Sequence, residues 1–433
     1  MDVVKSLSQS DLHAISCIEM HTTGEPVRII YRGYPELSGT LMEQRREAKL
    51  HHDFIRQRLM LEPRGHSEML VIIPLRYAIY LSSQIHKPAC DFLISCSLPL
   101  RYGAIIRPIT EQVVAGKAHI GVLFCHGEGY STMCGHATIA LGRFLVDTHD
   151  LSVFPRRDLL MFDPESWTTK LLLHAPCGVV EVTIPVLGPG GKSDPSRPVS
   201  FLSVPSFAAA LNLAVSIPAS HHWPELGDRS TVSADISYGG AFYALISTSE
   251  LGFASGLRPQ ISAIDIDALS RATALLKDVI MATPELKRKV IHPEHGDLSY
   301  LYSVMIVDEG LGVQVQGTKG VETGLCFFAD QQIDRSPTGS CVAARMATAY
   351  ARRILRKGDA WTYHSVVSNA FEGEGGFVGR VEAVVPVSPE REGVVVRTEG
   401  KAWYTGASTF TVEKGDKLGD LGFNLRELVS GKR

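Results

Sequence analysis

The chain has 433 residues, 45% of them hydrophobic and 21% charged, a composition ordinary for a globular enzyme and a length large for a single core. Its 43 basic and 46 acidic side chains leave a net charge of −3, and no Lys/Arg-rich patch is interleaved with aromatics, so neither nucleic acid nor a membrane surface is expected as a partner. No apolar run reaches the roughly 18 residues of a spanning helix, the eight cysteines follow no repeating spacing, and the opening "MDVVKSLSQSDLHAIS" shows no secretory pattern, so a cytoplasmic protein with reduced thiols is expected.

Taken in chain order, the first strand is "VRIIYRG" (27–33), β-branched and closed by Gly. The segment Val71–Arg101 shows no clear helical or strand period, few charges and three prolines; it reads as an insertion or as translated intron in the gene model. "AHIGVLF" (118–124) is the next strand, followed by "STMCGHATIALGRFLV" (131–146), a helix apolar on nearly every side and therefore buried. "GVVEVTIPVL" (178–187) leads into "LGPGGKSDPSRP" (187–198), whose Pro and Gly mark a surface loop near a domain boundary. "DISYGGAFYALI" (235–246) reads as strand, and "AIDIDALSRATALLKDVI" (263–280) as an amphipathic helix. "LYSVMIV" (301–307) precedes a third helix, in "DRSPTGSCVAARMATAYARR" (334–353), again small and apolar all round. "FVGRVEAVVPV" (377–387) and "ASTFTVEKG" (407–415) complete the strands.

The two all-apolar helices share a layout. Cys134-Gly135-His136 lies over Thr338-Gly339-Ser340, and Ala140 falls on Ala344, a short match that suggests internal duplication. A helix start offers unpaired N–H groups and partial positive charge. If both starts face one cleft, the N–H groups of Gly135, His136, Gly339 and Ser340 would clamp a carboxylate, and Asp334 would pair with an amine on the same ligand. The same dipole would lower the pKa of a thiol at Cys134 and make it a usable base. Such a site suits an α-amino acid whose α-proton is removed. Read alone, Cys134 is most often a small buried hydrophobe. His136, two residues on, is a poor candidate for its general base and reads as packed or solvated, and Asp334 reads first as a turn acid.

The motifs Met133-Cys134-Gly135-His136 and Asp334-Arg335-Ser336-Pro337-Thr338-Gly339-Ser340, with "EMHTTGEPVRII", "PRGHSEM", "YGAIIRPI" and "FADQQIDRSPTGS", resemble the proline racemase family from about Ile18 to Phe423. The resemblance implies an α/β (α+β) fold like that of diaminopimelate epimerase. Two pseudo-symmetric domains would each wrap strands round a central helix: residues 12–205 completed by about 392–425, and residues 206–391. It also implies a site in the cleft between them, no cofactor and no metal. Racemases and epimerases of the family carry a cysteine at both helix starts, one for each face of the α-carbon. Here the second is Thr338, whose hydroxyl is far too weak an acid to exchange protons as a thiol does. Inversion should then fail and the carbanion should expel a β-hydroxyl, as in the trans-3-hydroxy-L-proline dehydratases of the same family. The catalytic pair would be Cys134 and Thr338, with Gly135, His136, Asp334, Gly339 and Ser340 holding the substrate.

Cys341, three residues into the helix, is a weak candidate for the missing acid. "GPGGKS" lacks the first glycine of a phosphate loop and "GEGGFVG" the spacing for a dinucleotide; the histidine groups 51/52, 221/222 and 292/295 match no zinc spacing. The alternatives are a proline racemase or 4-hydroxyproline 2-epimerase and, in another class, a non-catalytic amino-acid-binding relic. A homodimer is compatible with this reading.

Overall fold

The computed structural model describes residues 14–65, 102–257, 265–329, 331–425 and 428. The segment 71–101 lies outside these residues.

The strands form one continuous ladder in two halves that repeat the same pairing order. In the first half, Ala402–Phe410 pairs antiparallel with Ile15–Thr22, which pairs antiparallel with Glu25–Arg32. Glu25–Arg32 then runs parallel to Tyr102–Arg107, Tyr102–Arg107 antiparallel to Ile120–His126, and Ile120–His126 parallel to Thr168–Ala175. Gly178–Pro185 and Val199–Leu202 follow antiparallel. The second half begins with Phe207–Ser216, Thr231–Tyr238 and Phe242–Ser247, and repeats the series through Leu301–Glu309, Val321–Phe328, Ala360–Ser365, Phe377–Ser388 and Arg391–Gly400. Its two parallel steps fall at the corresponding places, Phe242–Ser247 with Leu301–Glu309 and Val321–Phe328 with Ala360–Ser365. Arg391–Gly400 closes the seam by pairing back to Val199–Leu202.

A parallel pair cannot be joined by a hairpin; it needs a crossover, usually a helix. Each half therefore carries two crossovers. The inner ones are the helices Gly135–Asp147 and Gly339–Ala351, buried along almost their whole length in one shared core. Small residues allow this: Ala137, Ala140, Ala343, Ala344 and Ala347 let strands approach from every side. The outer crossovers cover the other sheet face, Ile266–Ala282 in the second half and the helices Leu41–His51 and Asp53–Met60 in the first.

Those last two helices correct the sequence reading, which contains only three. "LMEQRREAKLH" is too polar for an apolar period to show, but Thr40 and Glu43 form a capping box, the local signal that marks the start. Two strand readings are also corrected. "DISYGGAFYALI" is a hairpin turned at Gly239-Gly240, where Gly240 has φ 100°, and the last strand ends at Phe410 instead of running on to Gly415. A Cβ on Gly239 would collide with the Ser340 carbonyl, so the glycine lets this hairpin lie on the first turn of the second inner helix.

Candidate active site

The two inner helices start within touching distance of each other. A Cβ on Gly135 would come within 2.6 Å of the Gly339 Cα, and one on Gly339 within 3.0 Å of the Gly135 Cα. Only a pair of glycines permits this approach. The starts differ in local geometry. Cys134 is extended (φ −145°) and its Sγ caps the helix, accepting from Ala137 N at 3.4 Å. Thr338 is in the left-handed region (φ 62°), a costly place for a β-branched residue, and makes no side-chain cap. Its Oγ1 instead donates to Asp334 Oδ2 at 2.9 Å, while Asp334 Oδ1 accepts from Ser336 N at 2.8 Å. The turn Asp334–Thr338 holds the strained residue in place, and the hydroxyl's single proton is committed to Asp334.

Between the starts lies a pocket lined by Cys134, His136, Thr338, Asp334 and a ring of aromatics, Tyr102, Tyr243, Tyr302 and Phe328. Its volume is about 10 Å³, room for one water molecule and not for a pyrrolidine ring. A ligand of that size enters only if the halves part. Several bonds cross the closed cleft: Tyr102 to Tyr302 (hydroxyl oxygens 3.2 Å apart), Thr132 Oγ1 to the Gly240 carbonyl (2.7 Å), Thr23 Oγ1 to the Gly375 carbonyl (2.6 Å) and Arg335 N to Glu25 Oε2 (2.9 Å).

Burial overturns the expectation for the thiol. Desolvation pushes Cys134 well above the usual thiol range, opposed by the Ala137 N–H and the Tyr102 hydroxyl and helped by the negative charge of Asp334 and, once ionised, that of Glu25. In the closed site Cys134 is a thiol, because loss of water outweighs the helix start. Of the two readings of His136, packed or solvated, the structure shows the packed one, with the ring against the thiol. Cys134 Sγ is 3.3 Å from His136 Nδ1 and 3.6 Å from Nε2. Burial, opposed by Asp334, takes this imidazole down to about 4, so it is neutral. Thr22 Oγ1 donates to the His136 carbonyl at 3.0 Å, and the Tyr102 and His136 rings meet edge to face at 5.0 Å.

Glu25, fully buried beside Arg335, is pushed by desolvation up to about 8 against the pull of Arg335. A carboxyl raised in the folded state binds its proton more tightly folded than unfolded, so its contribution to stability is complete below about 4.5 and is lost as pH rises through about 8. The urea midpoint of the wild type should therefore fall across that window relative to Glu25→Gln. Parallel curves for the two proteins would show that Glu25 does not titrate there.

The structure brings Cys134, Gly135, His136, Asp334, Thr338, Gly339 and Ser340 to one pocket. Sequence reasoning missed the three tyrosines and Cys326. Tyr102 opens the quoted stretch "YGAIIRPI" and Tyr243 lies in "AFYALI", but nothing in their spacing marks them as pocket residues. Tyr243 meets Ser340 Oγ at 2.6 Å. Cys326 lines the pocket on the Thr338 side, with its Sγ 3.0 Å from Ser303 Oγ and within hydrogen-bonding reach of Thr338; burial pushes this thiol up to about 12. Cys341 is fully buried in the helix core and does not line the pocket. Among the described residues no group of three metal-ligating side chains assembles, and His292 and His295 sit in an exposed turn. A larger cavity of about 780 Å³, beside Asp235, Arg345 and Trp361, holds neither helix start.

A family model described as Proline racemase matches residues 17–76 and 99–424. The chain is 35% identical over 414 residues to the trans-L-3-hydroxyproline dehydratase of Mus musculus, covering 95% of each chain. It is 31% identical over 417 residues to the 3-hydroxyproline 2-epimerase of Burkholderia multivorans, covering 95% of this chain and 98% of that one. Among solved structures it resembles a hydroxyproline epimerase from Agrobacterium vitis crystallised with trans-4-hydroxy-L-proline, with TM-score 0.70, 20% identity and 96% of each chain covered. That likeness shows the fold. Residues 77–98, inside the suspected insertion, fall between the two stretches the family model matches.

Proposed function

The chain belongs to the proline racemase family, and from that premise we propose that it is a hydro-lyase, dehydrating trans-3-hydroxy-L-proline to Δ1-pyrroline-2-carboxylate. The carrying observation is at the second helix start: Thr338 stands there, and its proton is held by Asp334.

The substrate carboxylate sits on the N–H groups of Gly135, His136, Gly339 and Ser340, which helix geometry leaves without intrahelical acceptors. The ring ammonium pairs with Asp334. That pairing also offsets one of the charges holding the Cys134 thiol up, so substrate binding itself favours the thiolate. The thiolate removes the α-proton, the 3-hydroxyl leaves as water, and the enamine acid tautomerises to the cyclic imine. Thr338 returns no proton to the other face.

The epimerase reading needs a second acid there, and Cys326 is the thiol placed behind Thr338 on that side. We keep the dehydratase because Thr338 stands at the helix start itself. The scheme uses no cofactor or metal. The same proposal includes the division into residues 12–205 with 392–425 and residues 206–391, and a cytoplasmic location suited to the free thiols. Among the described residues no helix is long and apolar enough to cross a membrane.

Incubation with trans-3-hydroxy-L-proline should yield the cyclic imine, detected by its adduct with an aromatic amine. An inverted α-carbon in place of the imine would move the assignment to epimerase, and binding without turnover to a relic.

A further inference from the structure

We propose that His136 is the acid that protonates the departing 3-hydroxyl, so that Cys134 and His136 carry out a syn elimination from a single face of the ring. The inference rests on the dehydratase reading and deepens it. In trans-3-hydroxy-L-proline the hydroxyl and the carboxylate lie on opposite ring faces. The α-hydrogen is also opposite the carboxylate, so it shares a face with the hydroxyl. Whatever removes the α-hydrogen therefore approaches from the side on which the hydroxyl departs.

Cys134 is the thiol at the tips of the two facing helix starts, and Thr338 lies across the cleft with its proton given to Asp334. The leaving hydroxyl is thus on the Cys134 side. Two groups there could serve it. The Tyr102 hydroxyl also reaches Cys134, but it is engaged by Ser131 and Tyr302 and burial makes it a still weaker acid than a free phenol. His136 is buried, neutral and within 3.6 Å of Cys134 Sγ through both ring nitrogens.

The step balances within this pair. The thiol proton of Cys134 passes to a ring nitrogen of His136, leaving a thiolate. The thiolate takes the proton from C2, and the C–H electron pair becomes the C2=C3 bond. The C3–O bond breaks, and the imidazolium proton goes to the hydroxyl, which departs as water. Cys134 is again a thiol and His136 again neutral, so a second turnover needs no outside proton.

The test compares two leaving groups. Hydroxide must be protonated to leave; chloride need not be. Wild-type protein and His136→Gln are assayed with trans-3-hydroxy-L-proline and with trans-3-chloro-L-proline. Glutamine keeps the backbone N–H and much of the side-chain volume but cannot become a cationic acid. Its defect on the hydroxyl substrate should exceed its defect on the chloride by roughly 10²-fold or more, the usual worth of a general acid. Turnover of the chloride by the variant also shows that it folds. Equal defects on both substrates would confine His136 to serving the thiol or the fold, and undiminished dehydration would remove it from the reaction; either result overturns the proposal. Failure of the wild type to dehydrate at all sinks the dehydratase reading, and this inference falls with it.

Discussion

Cys134→Ser is expected to cut dehydration by at least about 10³-fold, within the range for losing a positioned base. A serine hydroxyl in the same site is a far weaker acid than the thiol, so almost none of it is ionised near neutral pH. The loss should not come through the fold. Cys134 caps its helix with a long 3.4 Å contact to Ala137 N, and serine is a preferred residue at that position. The N–H groups of Gly135 and His136 are backbone groups and remain. Calorimetric titration of the variant with trans-3-hydroxy-L-proline should therefore show affinity near that of the wild type, alongside the lost imine formation. Substantial turnover by Cys134→Ser would remove the thiolate from the mechanism.

Thr338→Cys is expected to gain an activity that the wild type lacks. In deuterium oxide the wild type should form no D-proline from L-proline, because one face has no competent acid. The variant places a thiol at the second helix start and removes a β-branched side chain from φ 62°. Deuterated D-proline should then appear at roughly tenfold or more above the wild-type background, a modest return for a restored acid/base. The gain has a limit: Asp334 and burial, which hold the Cys134 thiol up, surround position 338 as well. Chiral chromatography with mass detection reads both isotope and hand. D-Proline from the wild type would overturn the one-thiol assignment and bring Cys326 forward as the second acid.

Much of this site was legible along the chain because its parts are local. A helix start is written in a few consecutive residues, and Cys134-Gly135-His136 and Thr338-Gly339-Ser340 each contain one. The all-apolar composition of both helices required burial, and burial of both amid strands implied a duplicated wrap. The two outer helices of the first half were missed because Leu41–His51 is polar on most faces. Their counterpart Ile266–Ala282 was found because its leucines and alanines keep a helical period. The absent second thiol, on which the choice of reaction turns, needs no structure to be seen.

The protonation state of the site could not be read in the same way. Helix geometry acts within a turn and argues for an ionised Cys134. Desolvation depends on everything that covers the sulfur, and here the cover comes from residues far away in sequence. Tyr102 and Glu25 reach Cys134 through the fold of its own half, and Asp334 acts on it only because the two halves close on each other. The contact between Cys134 and His136 likewise depends on packing from elsewhere in the chain. Two residues apart on a helix start they need not meet; Tyr102, 34 residues before His136, packs edge to face against the imidazole that lies on the thiol. The sequence by itself determined which groups are present and which thiol is missing, since these are local and covalent. Only the tertiary structure decided which of those groups carry protons and to whom they can pass them, since solvent exclusion belongs to the closed cleft as a whole.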